Sequence, residues 1–251
     1  MGPETGWSMA RAFPLGKGLG TGPSRHASPR PVRFPELARF GFIVLASLGV
    51  YGFVTAASDG EARRACAALC ALRPNYAADD RSAPDFELPA LTGGKVRLSD
   101  LRGKTVIVNF WTKTCKPCLE EMPTLANLAK ALRNSPGVVL LTISTDESFE
   151  DVKATMQSVL GYEPPFPILL DPDADVVSGK FGTKLFPETW FIDPDGVIRA
   201  RFDGERDWAS PLVMDLAASL GRGKSCDVSF TRGKMDGADV NQCADLNVGV
   251  R

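Results

Sequence analysis

The sequence predicts an α/β domain preceded by one transmembrane helix. From Pro84 onward, short apolar runs typical of strands alternate with stretches of helical periodicity, which is the pattern of an α/β fold. Further upstream, residues 40–57 carry no charged side chain. As a helix this run would be about 27 Å long, at about 1.5 Å per residue, which is near the lower limit for crossing a bilayer.

Charges on either side of residues 40–57 predict the orientation of this segment. Three arginines precede it and two acidic residues follow it, namely Arg30, Arg33, Arg39, Asp59 and Glu61. The positive-inside rule then predicts a disordered cytoplasmic tail over residues 1–39, a transmembrane anchor over 40–57, and a folded body on the periplasmic side. A cleaved signal peptide is the competing interpretation, because Thr55-Ala56-Ala57 offers small residues at a cleavage spacing.

Composition excludes several classes of function. The net charge is −1 and the body mixes both signs, so we expect no nucleic-acid partner. His26, in the N-terminal stretch, is the only histidine of the chain. A Ser-His or Cys-His catalytic pair, a histidine-ligated metal and a covalent haem all need a histidine in the folded body. We therefore expect neither a cofactor nor a metal.

The first half of the body reads as a linker, two buried strands and a long helix. Residues 58–82 form the linker, which starts helical over Glu61–Leu72. Val106–Trp111 and Val138–Ile143 are continuous apolar runs, as expected for strands that are buried on both faces. Between them, from about Cys115 to Arg133, apolar residues recur at helical spacing and predict a helix.

The second half completes one domain over residues 83–221. In chain order we predict a helix, a strand, a short helix, two strands and a closing helix, at Asp151–Leu160, Phe166–Leu170, Asp173–Phe181, Thr189–Ile192, Val197–Phe202 and Trp208–Leu220. Asp193-Pro194-Asp195-Gly196 is a strong hairpin signal between the last two strands. Residues 222–251 form a polar, cysteine-containing C-terminal tail with little periodicity.

The motif Cys115-Lys116-Pro117-Cys118 lies between a predicted buried strand and the first turn of the following helix. A spacing of three residues places both sulfurs on one side of that turn, close enough to bridge. Free backbone N–H groups and Lys116 would stabilise a thiolate at Cys115, with Thr114 as the candidate N-cap. This predicts thiol–disulfide exchange, in which Cys115 attacks and Cys118 resolves. Half of a zinc site and a static bridge are the competing interpretations.

The other four cysteines lie outside the predicted core. Cys226 and Cys243 flank a loop rich in glycine and aspartate, and a disulfide closing it would stabilise the fold by about 3 kcal/mol on the chain-entropy model. We therefore expect a structural disulfide between them. Cys66 and Cys70 are one helical turn apart, and their pairing with the tail stays open because four cysteines allow three connectivities.

Five segments between residues 83 and 203 follow the motif order of one known family. They are Ala83-Pro84-Asp85-Phe86, Leu98-Ser99-Asp100-Leu101-Arg102-Gly103-Lys104, Val108-Asn109-Phe110-Trp111, Cys115-Lys116-Pro117-Cys118-Leu119-Glu120-Glu121-Met122-Pro123 and Phe186-Pro187-Glu188-Thr189-Trp190-Phe191-Ile192-Asp193. In these segments the chain resembles the TlpA/ResA-type thioredoxin-like thiol:disulfide oxidoreductases of the AhpC/TSA-Redoxin superfamily, which include reductases of cytochrome c maturation. The resemblance implies a thioredoxin-like fold, with a central mixed sheet flanked by helices.

The resemblance also implies roles for two further residues. Pro187 falls at the family's cis-proline, which faces the cysteine pair; an ordinary trans-proline at a strand start is the alternative. Glu121 matches a family glutamate that assists proton transfer at the resolving cysteine; a solvated helix residue is the alternative. Thr114 replaces the family's tryptophan and so removes an apolar shield. Val108 breaks the Pro-x-x-x-Thr/Ser-x-x-Cys pattern of peroxiredoxins, so we expect no peroxidase activity.

These observations together predict a membrane-anchored, extracytoplasmic thiol:disulfide oxidoreductase. We expect it to reduce disulfides through Cys115 and Cys118 in exported proteins such as apocytochromes c. A reductant outside the cytoplasm needs electrons from a membrane protein, because that compartment is oxidising. The expected partners are therefore protein disulfide substrates, a membrane electron donor and the membrane itself through residues 40–57. The alternative function is a redox-inert thioredoxin-like binding module with a structural disulfide.

Overall fold

The computed structural model describes residues 34–72, 81–221, 229–231, 234–237 and 240. The chain divides into two units, Met1–Gly49 and Val50–Arg251. Of the predicted features, residues 1–33, the pairing of Cys226 with Cys243, and the side chains of Cys66 and Cys70 lie outside the described residues.

Helix α1 spans Phe34–Leu72 and contains the predicted transmembrane segment. Its stretch Ala38–Ala57 has a mean hydropathy of 1.9 and none of it is buried, so it is long and apolar enough to cross a membrane. The helix begins at Phe34, six residues before the predicted anchor and inside the stretch predicted as a tail.

Five strands form the central sheet, namely β3 (Thr105–Trp111), β4 (Val138–Ser144), β5 (Ile168–Leu170), β6 (Glu188–Ile192) and β7 (Ile198–Asp203). Their order across the sheet is β5-β4-β3-β6-β7. Strand β3 pairs parallel with β4 and antiparallel with β6, so the sheet is mixed, as expected. Before it, β1 (Glu87–Pro89) and β2 (Lys95–Arg97) form a small hairpin that leads into a 3₁₀ turn at Leu98–Leu101.

Three helices and one π-helical turn connect the strands. They are α2 (Lys116–Leu132), α3 (Phe149–Leu160), the turn at Asp175–Lys180 and α4 (Pro211–Gly221). Helix α3 starts two residues earlier than predicted because Ser148 caps it, accepting a hydrogen bond from the Asp151 N–H. Helix α4 starts three residues later than predicted. In the polar tail, Ser229–Thr231 and Lys234–Asp236 pair as a hairpin (β8 and β9) that the sequence did not predict.

Strand β3 is the centre of the core, and all seven of its residues are buried. Because side chains alternate along a strand, its two faces join two different clusters. Ile107 and Trp111 pack with α2 and α4 on one face, whereas Val108 and Phe110 pack on the other. The Asn109 side chain lies on the same face of β3 as Ile107 and Trp111, so its amide lies beneath α2.

The end of α1 belongs to the folded body. Ala68 and Leu69 are buried in the cluster that holds α2 and α4, and Leu72 packs against that cluster. The predicted linker over residues 58–82 is therefore helical up to Leu72, as expected from Glu61 onward, but its last described turns are part of the core rather than a spacer.

Candidate active site

The cysteine motif follows the end of β3 and opens helix α2. Cys115 is the N-cap of α2, with extended backbone angles, and its Sγ accepts a hydrogen bond of 3.2 Å from the Cys118 N–H. Thr114, which was expected to cap the helix, is exposed, and the sulfur of Cys115 is the capping group instead. A sulfur at this position lies where the backbone N–H groups of the first turn favour negative charge, so the geometry suits a thiolate at Cys115.

Cys115 and Cys118 are joined by a disulfide with a Cα–Cα distance of 5.3 Å. Their surroundings differ. Cys115 is half-buried, whereas Cys118 has 0% of its surface exposed. A partner thiol from solvent therefore reaches the Cys115 sulfur first, and Cys118 is open to attack or release only from within the protein.

The charge of Lys116 is exposed and paired with Glu120. Its Nζ lies 3.3 Å from Glu120 Oε1, and the Lys116 side chain is 86% exposed. An exposed charge paired with a carboxylate is strongly screened, so it contributes little to a neighbouring thiolate. Of the two expected sources of thiolate stabilisation, the helix N-terminus is therefore the stronger and Lys116 the weaker.

Pro187 lies immediately before β6, at the level of the end of β3. Glu188 pairs with Phe110 in the register of these two strands, so Pro187 lies level with the residues that lead to the motif. The Phe186–Pro187 peptide bond is cis and Pro187 is buried. This geometry agrees with the cis-proline that the family resemblance implies, and the trans alternative is excluded for this structure.

Glu121 is buried within α2, one helical turn after Cys118. Its side chain is 1% exposed, whereas neighbouring Glu120 is exposed, so the solvated alternative does not apply to Glu121. Burial raises the pKa of Glu121 to about 7, against the opposing effect of its hydrogen bonds. Residues three apart lie on the same face of a helix. The Glu121 carboxyl group, whose pKa is about 7, therefore lies beside the buried sulfur of Cys118.

Three donors hold the Glu121 carboxylate. Asn109 Nδ2 donates to Oε1 at 2.7 Å, and Oε2 accepts from Trp208 Nε1 at 2.7 Å and from the Arg206 N–H at 3.2 Å. Asn109 also donates to Thr189 Oγ1 at 2.9 Å, which ties β3 to β6. None of the three donors was predicted from the sequence. An amide inside the apolar run of β3 was a signal for Asn109, but no local pattern points from Trp208 or Arg206 to a residue more than eighty positions away.

Asp146 is a second buried carboxylate and holds the loop that precedes the motif. Its Oδ1 accepts from Thr112 Oγ1 and from the Lys113 N–H, both at 2.8 Å, and its Oδ2 accepts from Ser144 Oγ at 2.8 Å. Lys113 Nζ in turn lies 2.7 Å from Glu147. Hydrogen bonds to its carboxylate partners raise the pKa of Lys113 to about 12. The loop is thus fixed to the end of β4, a role that the sequence did not reveal.

Comparison with known proteins gives matches to one family and to its curated members. A family model described as the AhpC/TSA family matches residues 80–201. Thioredoxin-like protein YneN of Bacillus subtilis (strain 168) is 35% identical over 122 residues, which are 48% of this chain and 69% of that protein. Thiol-disulfide oxidoreductase ResA of Bacillus anthracis is 33% identical over 126 residues, 50% of this chain and 70% of ResA.

A solved structure extends the likeness to the fold. The thiol:disulfide interchange protein DsbE from Chlorobium tepidum superposes with a TM-score of 0.50 at 27% identity, covering 56% of this chain and 96% of that chain. The predicted thioredoxin-like α/β fold with a mixed sheet is thereby confirmed. Cys115, Cys118, Glu121 and Pro187 all lie within the matched residues 80–201. The chain therefore belongs to the TlpA/ResA-type thioredoxin-like thiol:disulfide oxidoreductases, and it is an enzyme of that class.

Proposed function

We propose that this enzyme is a membrane-anchored disulfide reductase that works outside the cytoplasm, with Cys115 as the attacking and Cys118 as the resolving cysteine. The observation that carries the proposal is the asymmetry of the pair. Cys115 is half-exposed at the tip of α2, whereas Cys118 is buried one turn before a carboxyl group whose pKa burial raises to about 7.

The first step is attack of the Cys115 thiolate on one sulfur of a substrate disulfide. The substrate S–S bond breaks, its second sulfur leaves as a thiolate and takes up a proton, and a mixed disulfide joins Cys115 to the substrate. The N-terminus of α2 and the Cys118 N–H, which bonds the Cys115 sulfur, favour the charged form of this nucleophile.

The second step needs the Cys118 thiol to lose its proton. In the proposal, ionised Glu121 accepts that proton, and the Cys118 thiolate attacks the Cys115 sulfur. The remaining substrate sulfur leaves and is protonated, and the enzyme ends as the Cys115–Cys118 disulfide. Two electrons have then passed from the enzyme to the substrate. A proton acceptor works best when its pKa lies near the working pH, and a value of about 7 meets that condition.

Location and partners form the rest of the proposal. Residues 40–57 anchor the chain, residues 83–221 are the redox domain, and the arginines before the anchor favour a periplasmic domain. The likeness to ResA and DsbE supports disulfides of exported proteins as substrates, with apocytochromes c as the specific candidates. Because the periplasm is oxidising, a membrane protein must return the Cys115–Cys118 pair to the dithiol state.

Protease treatment of spheroplasts tests on which side of the membrane the redox domain lies. A redox domain that is digested only after lysis would contradict the periplasmic location.

Insulin reduction separates this proposal from the redox-inert binding module. We expect the full-length protein to reduce insulin disulfides and the Cys115→Ser variant to lose that activity. Equal activity in both proteins would contradict the role of Cys115. The reduction potential of the couple then tests the direction: about −250 mV or lower supports a reductant, whereas about −120 mV indicates an oxidant.

A further inference from the structure

The segment between β7 and α4 covers Glu121 and supplies two of its three donors, the Arg206 N–H and Trp208 Nε1. Thr124, one turn further along α2, also forms hydrogen bonds with this segment. Its hydroxyl accepts from the Trp208 N–H at 3.1 Å, and it shares its own proton between the Glu121 carbonyl at 2.8 Å and the Arg206 carbonyl at 3.3 Å. The position of Glu121 in its pocket therefore depends on how firmly residues 206–208 are held.

Arg206 connects this segment to the end of α1. Its Nη1 donates to the Leu72 carbonyl at 2.8 Å, and its guanidinium lies 5.0 Å from the centre of the Phe202 ring. The last carbonyls of a helix have no partner within the helix, and a cation beside them also favours the negative end of the helix dipole. The Arg206 side chain thus donates a hydrogen bond to the end of α1, and its backbone N–H donates one to Glu121.

Packing strengthens the same connection. Ala68 and Leu69, in the last described turns of α1, are buried in the cluster that contains Trp208 and the apolar face of α2. The end of the anchor helix, the Arg206–Trp208 segment and Glu121 are consequently parts of one packed unit within residues 50–251.

We propose that Arg206 is a positioning residue, which holds the Arg206–Trp208 segment over Glu121 by bonding the end of α1, so that docking of the anchor helix controls proton transfer at Cys118. This inference rests on the proton-accepting role proposed above for Glu121. It adds a link from the anchor helix to the chemistry, and it gives the end of α1 a part in catalysis beyond attachment to the membrane.

The direction of the effect follows from the groups that face Glu121. Asn109 approaches from β3, Cys118 lies on α2 itself, and Arg206, Trp208 and Glu205 belong to the segment. Arg206→Met, whose apolar side chain keeps Glu121 covered, loosens the two donors that favour the ionised carboxylate and removes the attraction of the guanidinium for it, while burial, the main cause of the raised pKa, persists. Both changes raise the pKa of Glu121 further, so less of it is ionised and able to accept a proton at neutral pH.

The test compares Arg206→Met with Arg206→Lys in the full-length protein in lipid nanodiscs. The measurement is the pH profile of single-turnover reduction of a disulfide-cyclised peptide, with the Cys118→Ser variant as the background from other cysteines. We expect Arg206→Met to shift the profile upward by about 0.5 to 1 pH unit, slowing release at neutral pH by about two- to fivefold. Arg206→Lys, which keeps a cation for the Leu72 carbonyl, should return the profile towards that of the wild type.

An unshifted profile in Arg206→Met, including one that only loses amplitude, would overturn the positioning role. Glu121→Gln distinguishes this failure from failure of the proposed function. If Glu121→Gln keeps the wild-type profile, the proton-accepting role of Glu121 is wrong. If Glu121→Gln removes the titration while Arg206→Met leaves it unchanged, only the link through Arg206 is wrong.

A second pair of variants tests the docking of α1 directly. Leu69→Asp places a charge on a residue that is 2% exposed, whereas Gly60→Asp places the same charge on an exposed position of the same helix. We expect Leu69→Asp to reproduce the upward shift and Gly60→Asp to keep the wild-type profile. If Leu69→Asp does not fold, Leu69→Ala weakens the same contact more mildly. A folded Leu69 variant with the wild-type profile would contradict control by the anchor helix.

Discussion

Two adjacent residues of β3 belong to two very different parts of the molecule. Phe110 joins an aromatic cluster with Phe86, Phe181 and Trp190, where ring centres lie between 5.1 and 6.2 Å apart. Asn109 joins a polar network with Glu121, Arg206 and Trp208 beneath the cysteine motif. The aromatic cluster contributes stability through packing, whereas the polar network places a titratable group in the core. Two neighbouring residues of one strand thus have different roles: Phe110 contributes to packing, and Asn109 contributes to the chemistry of the site.

The largest effect is expected in the aromatic cluster. Phe181 contacts three other rings and is buried, so Phe181→Ala should lower the free energy of unfolding by about 3 to 5 kcal/mol through lost packing and an unfilled cavity. Leu185→Ala, at a side chain that is 78% exposed, should change it by less than about 0.5 kcal/mol. Chemical denaturation measures both. A loss below about 1 kcal/mol in Phe181→Ala would mean that the cluster is not a main source of stability.

The polar network should instead make stability depend on pH. The pKa of Glu121 is about 7 in the folded chain against 4.5 as its ordinary value. Between these values the folded state binds more protons than the unfolded state, so stability falls as the pH rises through this window. The difference corresponds to about 3 kcal/mol between pH 4 and pH 8.

Glu121→Gln should remove this contribution, while the other carboxylates titrate alike in both proteins. Denaturation of the wild type and of Glu121→Gln across that pH range measures the difference. Parallel curves for the two proteins would show that Glu121 titrates near its ordinary value.

A smaller effect is expected where Asp146 holds the loop before the motif. Asp146→Ala leaves the Lys113 N–H without its acceptor and should lower the free energy of unfolding by about 1 to 3 kcal/mol. It should also slow insulin reduction, since the loop leads directly to Cys115. Glu147→Ala removes only one of the two carboxylates that pair with Lys113 Nζ, the other being Asp151, and should have a much smaller effect. Equal effects of the two substitutions would argue against a special role of the buried carboxylate.

The smallest effect is expected at Lys116. Since its charge is exposed and paired with Glu120, Lys116→Met should change the rate of Cys115 alkylation in the reduced enzyme by less than about twofold at pH 7. Alkylation with iodoacetamide at low ionic strength gives the most sensitive measurement. A drop of tenfold or more would show that Lys116 is a main source of stabilisation for the Cys115 thiolate.

The sequence predicted the parts of the site that have local signals. Cys115 and Cys118 were visible from their spacing at a strand–helix junction, and the family resemblance indicated Pro187 and Glu121. The buried state of Glu121 was undecided, because Glu120 and Glu121 are neighbours of the same type and only tertiary contacts distinguish them. Thr114 was the best cap by residue preference, yet Cys115 caps the helix. A cap is selected by backbone geometry as well as by side-chain chemistry.

The fold was predicted at the level of elements, and its errors lie at boundaries and in long-range contacts. Strands β3 and β4 were placed to within one residue because runs buried on both faces are distinctive. The burial of Ala68 and Leu69 could not be foreseen, since nothing in residues 61–72 shows which surface of the body would receive them. Trp208 was read as the start of a helix, whereas its indole serves as a donor to Glu121.

The docked end of α1 has a practical consequence for preparing a soluble form of the enzyme. A version that begins at residue 80, where the family match begins, omits Ala68, Leu69 and the carbonyl that Arg206 holds. It would expose an apolar surface next to Trp208 and would favour aggregation. A version that begins just after the apolar stretch, near Asp59, keeps these contacts and is the better choice for measuring the enzyme with the end of α1 in place.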